Sequence, residues 1–382
     1  MDNLTHSLVG LTVAKAGLER LSPYATIVCV AAANAADADV ASGLFGDRWT
    51  LLQHHRGITH SIAGTIAIGF LVPALALAIE RGASAITKRK PRIQFRGLLL
   101  ASMLAALTHP LLDWTNNYGV RPFLPWSGHW FYGDLVFIAD PYLWLILGVP
   151  AFFLTSHTRV RIAGWAALAI CVAALMGFAG RSSNTEAAPL RVALIFWIVA
   201  AVIAAWWRAR GVHARFGPNL AVIGLLQVLG YWGVLAIAHH GAARNASTIA
   251  QSVAAAHGER LIRAAAMPTV ASASRWQAVA ETDQAIYRFV VRPGDLTGSE
   301  SRDQSMTRFV KPKGLAEALV TAAEDDRRAQ TLLDFARFPI AAVNDGDCVG
   351  QTLVQFADLR YTEPGRERGN FSVNIPVDCP AR

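Results

Sequence analysis

The sequence predicts a polytopic α-helical membrane bundle of about eight apolar segments, followed by a small α+β or β-rich soluble domain. Three observations predict it. Of 382 residues, 53% are hydrophobic and only 16% are charged, against roughly 25% charged in an average soluble protein. Apolar runs recur at about 6–20, 24–36, 58–79, 97–114, 135–154, 161–180, 190–207 and 218–239. This pattern stops near residue 240, and the remainder reads as ordinary soluble sequence. The expected domains are therefore 1–240, embedded in the membrane, and 241–382, outside it.

A helix that crosses the hydrocarbon core needs about 20 residues, with a range of about 17–25. The last six runs fit that length. The first two are shorter and read as half-embedded helices joined at Ser22-Pro23. Beyond the eighth run, Asn245–Ala266 is alanine-rich and reads as a helix. Arg275–Ala280, Ala285–Arg292, Thr352–Phe356 and Phe371–Ile375 show partial period-two alternation between turn residues and read as strands. Thr321–Phe335 reads as a further helix.

Basic loops set the expected orientation. Arg81, Lys88, Arg89, Lys90, Arg92 and Arg96 follow the third run; Arg159 and Arg161 follow the fifth; Arg208, Arg210 and Arg215 follow the seventh. In an alternating topology these loops share one side, and lysine and arginine retention marks it as cytoplasmic. The C-terminal domain then lies outside. The net charge of +8 is explained by these loops, which argues against nucleic acid as a partner. The N-terminus lacks the basic region and cleavage site of a signal peptide. Cys29 and Cys171 fall in apolar runs, while Cys348 and Cys379 are able to pair if their domain is extracytoplasmic.

The candidate site follows from histidines and carboxylates in this apolar setting. His54, His55 and His60 cluster at the mouth of the third run, with Arg56 among them; His6 opens the first run; Asp37 and Asp39 end the second; His109 and Asp113 end the fourth. Imidazole and carboxylate are the ligands that zinc, manganese and iron prefer, and ionisable residues near lipid point to function. His109 and Asp113, spaced i, i+4, share a helix face. Asp37 and Asp39, two apart in an irregular segment, are expected to aim in similar directions. The topology places His6, Asp37, Asp39, His60, His109 and Asp113 on one non-cytoplasmic face, which scattered polar residues would rarely achieve. The competing readings are solvated helix caps and an interfacial anchor. Asp134, Asp140, Asn116, Asn117 and His129 are candidate pocket or supporting groups, and Trp114, Trp126, Trp130 and Tyr132 read as an interfacial aromatic belt.

Taken together, His6, Asp37-x-Asp39, His-Arg-Gly-x-Thr-His-Ser at 55–61 and His109-Pro-x-x-Asp113 resemble the bacterial membrane-bound metal-dependent hydrolase family, of the LexA-regulated inner-membrane type. The resemblance covers about residues 1–145. Where that family shows Pro-Asp-x-Asp, this chain has Ala36-Asp37-Ala38-Asp39. The resemblance implies a multi-pass inner-membrane hydrolase using one or two divalent ions, zinc or manganese. The expected metal ligands are His6, Asp37, Asp39, His55, His60, His109 and Asp113. His54, His55 and Arg56 are the expected acid/base and charge-stabilising groups. A site at the outer interface suits a phosphoester, or ester, of a lipid or other amphiphile. The alternatives are a metal- or proton-coupled transporter and an envelope protein with a structural metal.

Overall fold

The computed structural model describes residues 1–181, 187–211, 215–294, 306–343, 350–365 and 369–379. It divides into two compact units. The first comprises residues 1–39, 56–236 and 268–273, and the second residues 40–55, 237–267 and 274–382.

The first unit is helical: α1 (Asn3–Lys15), α2 (Ala25–Asn34), α4 (Ile62–Thr87), α5 (Phe95–Trp114), α6 (Pro141–Thr155), α7 (Arg159–Ala179), α8 (Ala188–Ala209) and the first part of α9 (Asn219–Ala256). Each apolar run thus contains a helix, but the long ones are not all those expected. Among the described residues six helical segments are long and apolar enough to cross a membrane: 25–44, α4, α5, α7, α8 and α9. The second run gains length because α2 continues as a 3-10 helix, Ala35–Leu44. The fifth loses it because Asp140 caps α6 through the amides of Tyr142 and Leu143, so the residues before Pro141 stay irregular.

Small side chains let the site-bearing helices approach one another. Ala14, Ala25, Cys29, Ala32, Ala101 and Ala105 form one core cluster with Leu98. A Cβ on Gly10 would sit 2.8 Å from the Cys29 carbonyl oxygen and 2.9 Å from Ala33 Cβ, so α1 and α2 meet backbone to side chain. A second cluster, around Leu143, Leu147, Trp144, Met176 and Trp197, joins α1 to the later helices.

The second unit holds two antiparallel sheets. The first is ordered β1 (Leu261–Thr269), β2 (Ser272–Thr282), β3 (Ala285–Val291) and β4 (Thr307–Val310); the second is β5 (Pro339–Val343), β6 (Gln351–Asp358) and β7 (Ser372–Asp378). Met267, Val279 and Ile286 of the first sheet share a core with Phe338, Ile340, Ala357 and Leu359. Helices α10 (Leu315–Glu324) and α11 (Arg327–Phe335) pack on the second sheet.

Two expectations for this unit are corrected. Asn245–Ala266 is not a separate helix: α9 runs unbroken to Ala256, and β1 begins at Leu261. Gly258 takes φ +65° just past the helix end, a left-handed stop that glycine adopts without strain. Residues 40–55 fold with this unit although they lie within the expected membrane domain. Their helix α3 (Arg48–His54) packs on α11; Arg48 donates to the Ser372 carbonyl at 3.0 Å and Arg327 to Thr50 Oγ1 at 3.2 Å. Cys379 is disulfide-bonded, and Cys348 lies outside the described residues.

Candidate metal centre

Four segments of the first unit deliver the side chains. Helix α1 brings His6, the 3-10 helix Ala35–Leu44 brings Asp37 and Asp39, a short 3-10 turn at Ile58–His60 brings His60, and the last turn of α5 brings His109 and Asp113. The turn is held from both sides. The Gly57 carbonyl accepts from the His60 amide at 3.1 Å, and Ser61 Oγ bonds back to the Ile58 carbonyl at 2.7 Å while capping α4 through Gly64 N at 3.1 Å.

Asp37, His60, His109 and Asp113 each turn one ligand atom to a common centre, and all four are buried. His60 Nε2 lies 3.0 Å from His109 Nε2, 3.3 Å from Asp37 Oδ1 and 3.3 Å from Asp113 Oδ2. His109 Nε2 lies 3.5 Å from each of the same two oxygens. An ion held tetrahedrally at about 2.0–2.1 Å from each donor sets those donors about 3.3 Å apart. The five separations scatter around that edge length.

The orphaned atoms of the site point the same way. His6 is fully buried and stacked on His109, with ring centroids 3.8 Å apart and planes at 11°, yet neither of its nitrogens has a hydrogen-bond partner. Its Nε2 is 3.4 Å from Asp113 Oδ1. Asp113 Oδ2 also lacks a hydrogen bond. Buried polar atoms normally find partners, and a cation at the centre supplies one for a carboxylate oxygen and a neutral imidazole alike. His109 Nδ1 donates to the Ala33 carbonyl at 2.6 Å. A carbonyl only accepts, so in the neutral ring the lone pair is on Nε2, facing the centre. The residues present fit a divalent ion.

Asp37 and Asp39 bring ligand atoms within 4.8 Å of each other, as expected of the pair, but they meet the His60 ring on different sides. Three residues per turn in a 3-10 helix set positions i and i+2 about 240° apart. Asp37 reaches the centre, whereas Asp39 meets the far side of the His60 ring, its Oδ2 3.2 Å from Nδ1.

Arg56 is also placed differently from a group awaiting a substrate. It is buried, in the left-handed region at φ +55°. Its Nη2 pairs with Asp113 Oδ1 at 3.1 Å, and its Nη1 donates to Asn116 Oδ1 at 3.0 Å and the Gly119 carbonyl at 3.1 Å. Its guanidinium lies 4.5 Å over the Tyr118 ring. The Met1 nitrogen also donates to Asp113 Oδ1, leaving Oδ2 for the centre. His54 ends α3 exposed and His55 follows it half-buried; both belong to the second unit.

Of the other candidates, Asn116 supports Arg56, and Asp140 caps α6 and accepts from Tyr231 Oη at 2.9 Å. Trp126 is exposed, whereas the Trp130 ring carries Arg121 at 4.5 Å. Sequence reasoning missed the carbonyls of Ala33 and Gly119, which carry no side-chain signature. Thr59, the threonine of the 55–61 motif, donates its hydroxyl to Asp39 at 3.0 Å.

Residues 1–184 match the family model described as YdjM inner membrane protein. The uncharacterized protein YfhP of Bacillus subtilis is 26% identical over 155 residues, which make up 38% of this chain and 43% of YfhP. Inner membrane protein YbcI of Escherichia coli is 29% identical over 158 residues, 41% of this chain and 80% of YbcI. The chain thus spans less than half the length of YfhP. No solved structure matches it. With six helices long and apolar enough to cross a membrane, the chain is a multi-pass membrane protein whose first 184 residues are similar to the YdjM inner membrane proteins.

Proposed function

We propose that this protein is an integral-membrane, metal-dependent hydrolase. The observation that carries this reading is the convergence of two imidazole nitrogens and two carboxylate oxygens, from three separate segments, at tetrahedral-edge spacing inside a membrane protein. Asp37, His60, His109 and Asp113 hold the ion and His6 stands beside them as a further donor. A bound divalent ion supplies Lewis acidity and a nucleophilic water at neutral pH. Two carboxylates balance the charge of one divalent ion, and Arg56, paired with Asp113, adds a further positive charge beside it.

An amphiphile is the favoured substrate, with a phosphoester, or ester, as the bond cleaved. An apolar cavity of about 370 Å³ in the first unit has room for part of a hydrocarbon chain. It is lined by Leu4 and Leu8 of α1 together with Trp144, Gly148, Trp165 and Trp197. Its indoles spend their N–H groups on the protein: Trp144 on Asp2 and Thr5, Trp165 on Thr155, Trp197 on the Ala169 carbonyl. With the shorter α6 counted as a crossing too, the basic loops after α4, α6 and α8 share one side, which argues for an extracytoplasmic centre and C-terminal unit in the inner membrane.

A structural ion is the second reading, and the near-complete burial of His6, His60 and Asp113 favours it. Metal analysis of detergent-purified protein comes first, wild type beside His60→Ala/His109→Ala. The proposal requires about one or two divalent ions per chain, lost in the variant while the protein stays monodisperse. Hydrolysis of phospholipids and lipid-linked phosphates by the zinc- or manganese-loaded wild type then separates enzyme from structural site. A wild type that holds no ion after reconstitution sinks both readings.

A further inference from the structure

We propose that Asp39 is a positioning residue for the centre formed by Asp37, His60, His109 and Asp113, and not a ligand of the ion held there: it fixes the proton of His60 on Nδ1 and so turns a bare Nε2 to the centre. The inference rests on the metal-binding reading above and divides the labour within the Asp37-x-Asp39 pair.

One oxygen of Asp39 gathers the whole turn that carries His60. Its Oδ2 accepts from the Arg56 amide at 3.0 Å and from Thr59 Oγ1 at 3.0 Å, and it faces His60 Nδ1 at 3.2 Å. Thr59 Oγ1 also lies 3.0 Å from Nδ1, but its single proton is spent on Asp39. Both oxygens facing Nδ1 are therefore acceptors. A carboxylate beside an unprotonated ring nitrogen is repulsive, so Nδ1 carries the proton, and the neutral ring has its lone pair on Nε2. That nitrogen points to His109 Nε2, Asp37 Oδ1 and Asp113 Oδ2 at 3.0–3.3 Å.

The Ala33 carbonyl treats His109 in the same way from another helix. Two separate acceptors thus orient two imidazoles, and both leave a lone pair facing the other across 3.0 Å. No proton lies between them in that arrangement. With both rings neutral, two lone pairs and two carboxylate oxygens around one point call for positive charge there, which a metal ion supplies. Orienting partners of this kind fix the tautomer and raise the basicity of the ligand, and removing one typically costs about 10–100-fold in metal affinity.

Zinc affinity and stoichiometry, measured by competition with a chromophoric chelator, are compared in wild type, Asp37→Asn and Asp39→Asn. Asp39→Asn is expected to keep the wild-type stoichiometry with affinity reduced about 10–100-fold, and Asp37→Asn to lose the ion at concentrations where Asp39→Asn still binds. Equal losses in the two variants would make Asp39 a ligand. Two ions in wild type with one in Asp39→Asn would give it an ion of its own, and either result overturns the proposal. A metal-free wild type would overturn the hydrolase reading instead. A second readout needs no metal: ¹⁵N-histidine spectra, with the His60 signal assigned by its loss in His60→Gln. The proton is expected on Nδ1 in wild type and the tautomers mixed in Asp39→Ala. A proton on Nε2 in metal-free wild type overturns the inference even if Asp39→Ala does not fold.

Discussion

Helices α1, α2 and α5 spend their small residues on one another, whereas α7 and α8 spend large apolar residues on their surroundings. The most apolar stretch of α5 is 39% buried within the protein, that of α7 only 11%. Ile170, Leu175 and Phe178 of α7 and Ile195 and Val202 of α8 are exposed, as suits a lipid-facing surface. Lipid tails are as apolar as leucine, so hydrophobicity does not press helices together in a bilayer. Close packing of small residues and hydrogen bonds between helices do that instead. The site-bearing helices use both. The lesson is that the buried histidine–aspartate cluster is part of what fastens its helices together, and changes there should cost far more than equivalent changes on α7 or α8.

The sharpest way to break the comparison is Arg56→Ala. It removes the ion pair with Asp113 and the bonds to Asn116 and Gly119. Breaking a buried ion pair by removing one partner costs about 3–5 kcal/mol. Thermal unfolding in detergent should show a large loss and zinc binding should weaken, with Arg56→Lys, which keeps charge without the planar fork, recovering only part. Wild-type stability in Arg56→Ala would mean that the guanidinium does not hold the end of α5.

A matched pair of glycines tests the same contrast at smaller scale. A Cβ on Gly64 would lie 1.9 Å from the Ile58 carbonyl oxygen, in the turn that presents His60. A Cβ on Gly164, in α7, meets nothing within 4 Å. Gly64→Ala must displace the turn, a strain of roughly 1–3 kcal/mol or more, and should lower zinc affinity as well as stability. Gly164→Ala should be neutral or stabilising by about 0.5–1 kcal/mol, the usual gain on replacing a helical glycine. Equal effects of the two on unfolding and zinc titration would remove the distinction between the regions.

The legible parts of this molecule were those that side chains announce. Apolar runs located a helix for each segment, and the His109/Asp113 spacing placed two donors on one face of α5. The segment after α2 was illegible in detail because its 3-10 winding turns Asp37 to Nε2 and Asp39 to Nδ1 of His60, and Ala-Asp-Ala-Asp does not announce that winding. Residues 40–55 were assigned by position in the chain, yet Arg48 and Thr50 bond to residues hundreds of positions later, which no local pattern encodes. β1 was hidden because Arg-Ala-Ala-Ala-Met favours helix intrinsically; its place beside β2 and the burial of Ala265, Ala266 and Met267 override that preference.

The smallest expected effect lies in the second unit, at a partly solvated ion-pair cluster around Glu281 of β2. Burial works to raise the Glu281 carboxyl, but the hydrogen bond from Lys311 at 2.7 Å and the charge of Arg263, 2.6 Å away, overcome it and hold the group below the usual glutamate range. Because the folded value is depressed, the unfolded chain takes up the proton first as pH falls. The contribution is therefore complete above the ordinary glutamate value of about 4.3 and is lost as pH drops through the lower folded value. Both cations are partly exposed, so solvent screening limits it to about 0.2–1 kcal/mol. Amide exchange of β2 and β3 in wild type and Glu281→Gln, compared at equal pH, should differ near pH 7 and converge once the pH falls below the depressed folded value. A difference that persists in acid would assign the effect to packing of the side chain, not its charge, and would bring this partly solvated cluster closer in character to the sealed centre of the first unit.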